Sequence, residues 1–200
     1  MIRCLPGPRV LLLLPLLTLL PGCGGGGSSA PVSAPVSVPA SSPVLHYVNP
    51  AAASGHFQLV VEPASNDTAH LLLDLTGPPG TLAQGVALFI TAGSGAVWGS
   101  PGGTDSNVSN GSVFTLGSPA LFKSKVAAGD LQAGLFQTGA PAATLGAGPI
   151  LTLALDLAGT AIPKGTAVTL AATSGKNSAY LDGNLVQQPL TLDVGTLATQ

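Results

Sequence analysis

Few side chains in this 200-residue chain could do chemistry, and their spacing limits what that chemistry would be. Cys23 closes Leu20-Pro21-Gly22-Cys23 at the end of an apolar run, and Cys4 is the only other cysteine. The sulfur of Cys23 is therefore the one nucleophile set beside a processing signal, and its chemistry would be covalent modification there. His46, His56 and His70 lack the i, i+2 or i+4 spacing that puts two imidazoles on one metal. They are read as solvated histidines near strand ends. No serine has glycine at both −2 and +2, so the nucleophile-elbow signature is absent.

The loop from Thr104 to Gly111 presents Asp105, Asn107 and Ser109 at alternate positions, as calcium loops do. Gly111 falls one place late for an EF-hand turn and Leu116 stands where a bidentate Glu is needed, so a polar hairpin connection is expected instead. Asp105, Asp130 and Asp156 are the carboxylates from which a hydrolase could be built. A glycosidase would need two of them about 5–9.5 Å apart across a cleft. Strand alternation puts Asp156 on a solvent face, which disfavours that reading. The candidate ligand-binding residues are two aromatics. Trp98, in Gly93-Ser94-Gly95-Ala96-Val97-Trp98-Gly99, would stack on a sugar ring if exposed and would close one end of a core if buried. Tyr180, beside the Asp182-Gly183 turn, is either a second stacking platform or an edge-strand tyrosine with a wet hydroxyl.

The elements that position these residues begin with a signal segment over residues 1–22. Arg3 and Arg9 form its basic start and Val10 to Leu20 its apolar centre, too short for the ~20 residues that span a bilayer. Removing that segment takes both arginines from the six basic residues, leaving four lysines against eight acids and a net charge near −4. Nucleic acid, which is bound through clustered Lys and Arg, is excluded as a partner. A polybasic patch for anionic lipid is excluded as well. With Cys23 the only remaining cysteine, the folded part has no disulfide and must be held by core burial. No cofactor or metal is called for.

Residues 23–54 read as a disordered tether. Gly24 to Gly27 and two serines lead into Ala30-Pro31-Val32-Ser33 and Ala34-Pro35-Val36-Ser37, an extended and core-less composition. Over residues 55–200 the period becomes two. Phe57, Leu59 and Val61 alternate with polar positions, as do Leu71, Leu73 and Leu75, then Val86, Leu88 and Ile90. Leu151, Leu153, Leu155 and Leu157 oppose Thr152, Ala154 and Asp156, and Val168, Leu170, Leu190, Leu192 and Val194 follow. Such alternation buries one strand face and wets the other. With Gly/Pro turns between the runs, it indicates an all-β fold, an antiparallel β-sandwich of about eight or nine strands. Ser118 to Gly129 fits a capped helix, but a hairpin is favoured. In it Phe122 and Val126 face in, Lys123 and Lys125 face out, and the chain returns along Leu131 to Gln137.

Two resemblances sharpen this. Leu20-Pro21-Gly22-Cys23 resembles a bacterial lipobox. That implies acylation of Cys23, cleavage before it, and attachment to the bilayer of the cell envelope, with the outer membrane favoured because Gly24 stands where aspartate would retain the protein in the inner membrane. Several acyl chains would hold it firmly, at about 0.8 kcal/mol per buried CH₂. The segment order from Phe57 to Leu197 resembles cohesin and carbohydrate-binding-module sandwiches. Gly85 to Thr91, Lys125 to Phe136, Ile150 to Leu157, Thr166 to Ala172 and Leu190 to Leu197 take the places of their successive strands. The resemblance implies a jelly-roll module, non-catalytic, that binds through one sheet face or one loop set. An envelope protein is the expected partner and a polysaccharide the alternative. Intact mass of the membrane fraction should show acyl chains on Cys23 and none on a Cys23→Ala variant. An unlipidated wild-type protein in the soluble fraction contradicts the assignment.

Overall fold

The computed structural model describes residues 42–103 and 106–200. The signal segment, Cys23, the tether up to residue 41 and Asp105 lie outside the described residues. All regular structure described is β, and two sheets face each other across one core. The first sheet runs in the order β15 (Leu192–Asp193), β2 (Phe57–Val61), β3 (His70–Thr76), β10 (Pro149–Leu157) and β5 (Ala96–Trp98), with β6 (Val108–Asn110) also on β10. The second runs β14 (Gln187–Pro189), β13 (Ala179–Asp182), β4 (Leu82–Ala92), β8 (Asp130–Phe136) and β7 (Leu121–Ala127), with β9 (Ala143–Thr144) and β12 (Leu170–Ala172) also on β4. Apart from the parallel β15–β2 pair, the ladders are antiparallel.

The period-two pattern places the core as expected. Phe57, Leu59, Leu71, Leu73 and Leu75 from the first sheet meet Val86, Leu88, Ile90, Leu131, Ala133 and Leu135 from the second, all buried. The chain from Leu121 to Phe136 is the hairpin, and Ala128 and Gly129 turn it with φ of 52° and 85°. Left-handed φ at both central residues matches the twist of the flanking strands. Phe122 is half-buried against the core, whereas Val126, expected to face in, is exposed near the hairpin end.

Three expectations need correction. The described residues hold sixteen strands, more than eight or nine, because single apolar runs are divided between sheets. Val168 pairs with the C-terminal strand while Leu170 pairs with β4, and Leu190 to Val194 passes from the second sheet to the first. Strands that switch sheets in this way make the corners of a sandwich. In β10 the face opposite the leucines is also covered at Thr152 and Ala154, because β10 is flanked by β3, β5 and β6 and carries small side chains there. Thr152 Oγ1 donates to Asp74 Oδ1 at 2.6 Å.

The third correction is the tether boundary. Leu45–Val48 forms β1, which pairs with β16 (Thr196–Thr199); β11 (Ala167–Val168) completes a third, small sheet. Leu45 and Tyr47 are buried, so the domain begins before His56. Two alternating apolar residues among prolines are too short a run to register as periodic. Tyr47 joins the small sheet to the rest. Its hydroxyl accepts the Gly195 N–H at 2.6 Å and donates to the Leu59 carbonyl at 3.1 Å. Burial pushes its pKa up to about 12, against the lowering effect of the Gly195 hydrogen bond.

Tyr47→Phe leaves two buried backbone groups unpaired and should cost about 1–3 kcal/mol in chemical denaturation. Because the folded state holds the phenol proton above the ordinary value of 10.0, Tyr47's contribution is complete below pH 10 and is lost as pH rises towards 12. The Phe variant should lack that part of the alkaline loss; an identical alkaline profile in both proteins refutes it.

Candidate functional site: an apolar groove on the second sheet

An antiparallel sheet packed on one side still presents its other face, and the residues there are set by register. On the second sheet, the outward row Gln187, Leu181, Gly85, Phe136 and Leu121 crosses five strands. The next row is Pro189, Ala179, Ala87, Gly134 and Lys123, and Phe89, Gln132 and Lys125 follow. Small residues in the middle row between larger ones on both sides make a trough. Its floor is Ala179, Ala87 and Gly134; Leu181, Phe136 and Leu121 line one side and Phe89 the other. The groove measures about 510 Å³. Gly85 is required: a Cβ there would come within 2.7 Å of Phe136 Cδ2, because the ring lies across that position.

The apolar side of the trough continues to the end of the sheet. Leu82, Leu185 and Val186 are all at least half exposed, and Gly183 packs against Leu82. Leu185 sits at φ 64°, an uncommon conformation for a non-glycine residue. The Asp182 carboxylate fixes this turn. It accepts the Gln188 side-chain amide at 3.0 Å and the N–H groups of Val186 and Asn184, and these bonds, the Gln188 one foremost, hold its pKa below the usual carboxylate value.

Cations stand at the β7 end of the trough and along its Phe89 side. Lys123 lines it, Lys125 stands one row further, and Lys176 Nζ lies 5.8 Å over the Phe89 ring and 3.5 Å from Asp130 Oδ2. Three of the four lysines beyond the signal segment thus lie on or beside one sheet face.

The two candidate ligand-binding aromatics are used inside the sandwich. Trp98 is half-buried against the core, and its indole N–H donates to the Gly129 carbonyl at 2.7 Å, tying β5 to the turn of the β7–β8 hairpin. Tyr180 pairs with Val86 on the inner side of its sheet, and its ring stacks obliquely on buried Phe57 with centroids 5.3 Å apart. Tyr180 is not on an edge strand, because β13 lies between β14 and β4. Asp156 and Asp130 belong to different sheets and have separate partners: His70 for Asp156, Thr91 and Lys176 for Asp130. Asn107 donates to the Trp98 and Gly99 carbonyls and Asn110 to the Phe114 carbonyl, so the amides of the loop brace backbone. Among the described residues no three His, Cys, Asp or Glu side chains gather as metal ligands.

The histidines are partly solvent-exposed near strand ends, as expected, and each also has a partner. Each places Nδ1 against a distant carboxylate: His46 with Asp67 at 2.6 Å, His56 with Asp193 at 2.9 Å, and His70 with Asp156. Sequence spacing carries no sign of these pairs. The groove did leave one: Gly85, Ala87 and Phe89, with Gly134 and Phe136, put small or apolar residues at outward positions where a wet face would be polar.

The chain matches no protein-family model and no curated protein. Among solved structures it is similar in fold to cohesin modules. The sixth cohesin of scaffoldin B from Acetivibrio cellulolyticus, solved with a dockerin, shares 13% identity over 78% of this chain and 97% of its own, with a TM-score of 0.48. A non-cellulosomal cohesin from Archaeoglobus fulgidus shares 11% over 76% and 88%, with a TM-score of 0.44. The second type II cohesin of the ScaA scaffoldin from Acetivibrio cellulolyticus shares 13% over 76% and 92%, with a TM-score of 0.45. At these values no residue role passes from them to this chain.

Truncating Trp98 to alanine removes core contacts and the Gly129 hydrogen bond together. It should lower stability by about 3 kcal/mol, the lower end for a large aromatic. A stable Trp98→Ala protein that loses binding to a glycan array would return the residue to a ligand site.

Proposed function

We propose that this chain is a lipid-anchored, non-catalytic binding module of the bacterial cell envelope that docks a protein partner on the outer face of its second sheet. The observation that carries the reading is the groove. An exposed sheet face ordinarily alternates to polar side chains, whereas this one offers a small-residue floor between Leu181, Phe136, Leu121 and Phe89. Exposed apolar surface of that kind, rimmed by polar residues, marks interaction sites. The anchor is inferred from the Cys23 signal, with the outer membrane as the favoured location.

The position of the groove suits a tethered module. The chain enters at Val44 and Leu45, which bond to Gln200 and Thr68. β3 starts beside Thr68 and runs away from it to Thr76, and β4 begins after the following turn, so Leu82 and the Leu185 turn lie at the end remote from that entry. The apolar part of the face therefore lies at the end of the sheet remote from Val44 and Leu45. Of the two aromatics named as platforms for a polysaccharide, Trp98 packs against the core and bonds the Gly129 carbonyl, and Tyr180 packs on Phe57.

Gly134→Leu fills the trough without disturbing the core, because a Cβ at Gly134 would meet only the Val86 carbonyl oxygen, at 3.9 Å. In affinity enrichment from envelope extract quantified by mass spectrometry, a protein retained by the wild type should be lost from this variant at unchanged melting temperature. Equal retention by both, or retention of glycan alone, contradicts the docking reading.

A further inference from the structure

We propose that strand β7 is a landing edge for an extended acidic segment of another protein, which adds to the second sheet as a further antiparallel strand. This goes beyond the docking reading, because the groove offers side chains to a partner and the edge offers main chain. The strands at the other edges of the two facing sheets are short: β14, β5 and β6 have three residues each and β15 has two. Short edge strands are one way in which sheets blunt their edges. β7 instead has seven residues in unbroken register with β8, from Leu121 opposite Phe136 to Ala127 opposite Asp130. In a two-residue hairpin the pair flanking the turn exchanges both main-chain hydrogen bonds, and bonded and non-bonded pairs then alternate. Leu121, Lys123, Lys125 and Ala127 therefore bond to β8, and the N–H and C=O groups of Phe122, Ser124 and Val126 point outward. The other side of β8 has the complementary phase, since the Gln137 N–H donates to the Gln84 carbonyl. Among the described residues, no main-chain bond from another segment reaches Phe122, Ser124 or Val126.

Charge selects the occupant. Lys123 and Lys125 flank Ser124, and among the described residues neither has an acidic side chain within ion-pair distance. A second copy of β7 does not fit this edge. Antiparallel self-pairing through Phe122, Ser124 and Val126, centred on Ser124, sets Lys123 opposite Lys125 at two places. Centred on Lys123 or on Lys125, it sets that lysine opposite its own copy, and any further slip leaves only three residues paired. These lysine pairs fall at non-hydrogen-bonded positions, where Cα atoms approach to about 4.5 Å. Like charges directly opposite destabilise a sheet. Carboxylates on the incoming strand turn the same two close contacts into attraction. Between and outside them, β-branched residues suit an added strand and would cover Val126, which is exposed. The occupant is therefore an extended segment with Glu or Asp opposite Lys123 and Lys125.

The test uses the full-length protein in detergent micelles and labelled Val/Thr peptides of about nine residues, the length of a long strand. One peptide carries glutamates at the two positions that would face the lysines, and a second carries lysines there. Fluorescence anisotropy should show the first binding about tenfold or more tighter than the second, a gap that narrows as salt screens the pairs. Lys123→Glu/Lys125→Glu should reverse the preference. Two N-methylated forms of the acidic peptide separate main-chain pairing from charge alone. A methyl on the amide opposite Ser124 should abolish binding, whereas methyls on the glutamate amides, which point away from β7, should leave it intact. Ser124→Pro removes an outward N–H, which an edge strand tolerates, and should weaken binding about fivefold or more at unchanged melting temperature. Equal affinity for the acidic and basic peptides, equal behaviour of the two methylated forms, or wild-type binding by Ser124→Pro overturns the proposal. So does a wild-type dimer in light scattering that Ser124→Pro dissociates, which would give the edge to a second copy. Gly134→Leu keeps this proposal apart from the docking reading, because it fills the trough and leaves the edge free. The acidic peptide should still bind that variant. If Gly134→Leu loses the peptide and Ser124→Pro keeps it, the peptide lies in the groove, so the edge proposal fails and the docking reading stands. If Gly134→Leu keeps both the peptide and the envelope protein, the docking reading fails and the edge proposal stands.

Discussion

Strand β4 is the element on which the rest depends, because it hydrogen-bonds to β8, β9, β12 and β13 and faces two environments at once. Its inward residues Val86, Leu88 and Ile90 are core, while Gly85, Ala87 and Phe89 build the groove on the other side. From Gly85 to Ala92 the side chains of β4 alternate, so these roles are inseparable: a one-residue slip of that stretch would expose the core residues and bury the groove. Its long ladders with β8 and β13 fix that register, and the Phe136 ring lying across Gly85 couples it to the groove wall.

A sandwich without disulfides must also close its ends, and here polar contacts do so between segments far apart in the chain. The Tyr47 hydroxyl joins β1 to the Leu59 and Gly195 backbones, and the Trp98 indole joins the two sheets through Gly129. The three histidine–aspartate pairs tie β1 to the turn before β3, the approach to β2 to β15, and β3 to β10. Only 7% of residues are charged; Asp130 stands against Lys176, whereas Lys123 and Lys125 on the outer face of the second sheet have no acidic side chain within ion-pair distance among the described residues.

Much of this was legible in the sequence where physics is local. Leucine alternation marked the core faces of β3 and β10, and the turn at Ala128 to Asp130 marked the hairpin. What stayed hidden depends on pairing between distant segments. Leu45 and Tyr47 look like tether until β16 lies beside them, and Thr152 and Ala154 look wet until β10 proves central. Tyr180 looks like an edge residue because nothing in its neighbourhood announces β14 on one side and β4 on the other. The groove needs three strands in register before Ala179, Ala87 and Gly134 form one floor, although the small outward residues of β4 and β8 were a sign that those strands do not face plain water.

The central claim is that the outer face of the second sheet, and not another surface, meets the partner. Site-specific photo-crosslinking in the cells that make the protein addresses this directly, with the reactive group at Leu121 beside the groove or at Val97, which is exposed on the first sheet. The account predicts a discrete protein adduct from Leu121 and none from Val97. An adduct from Val97 with none from Leu121 would contradict it.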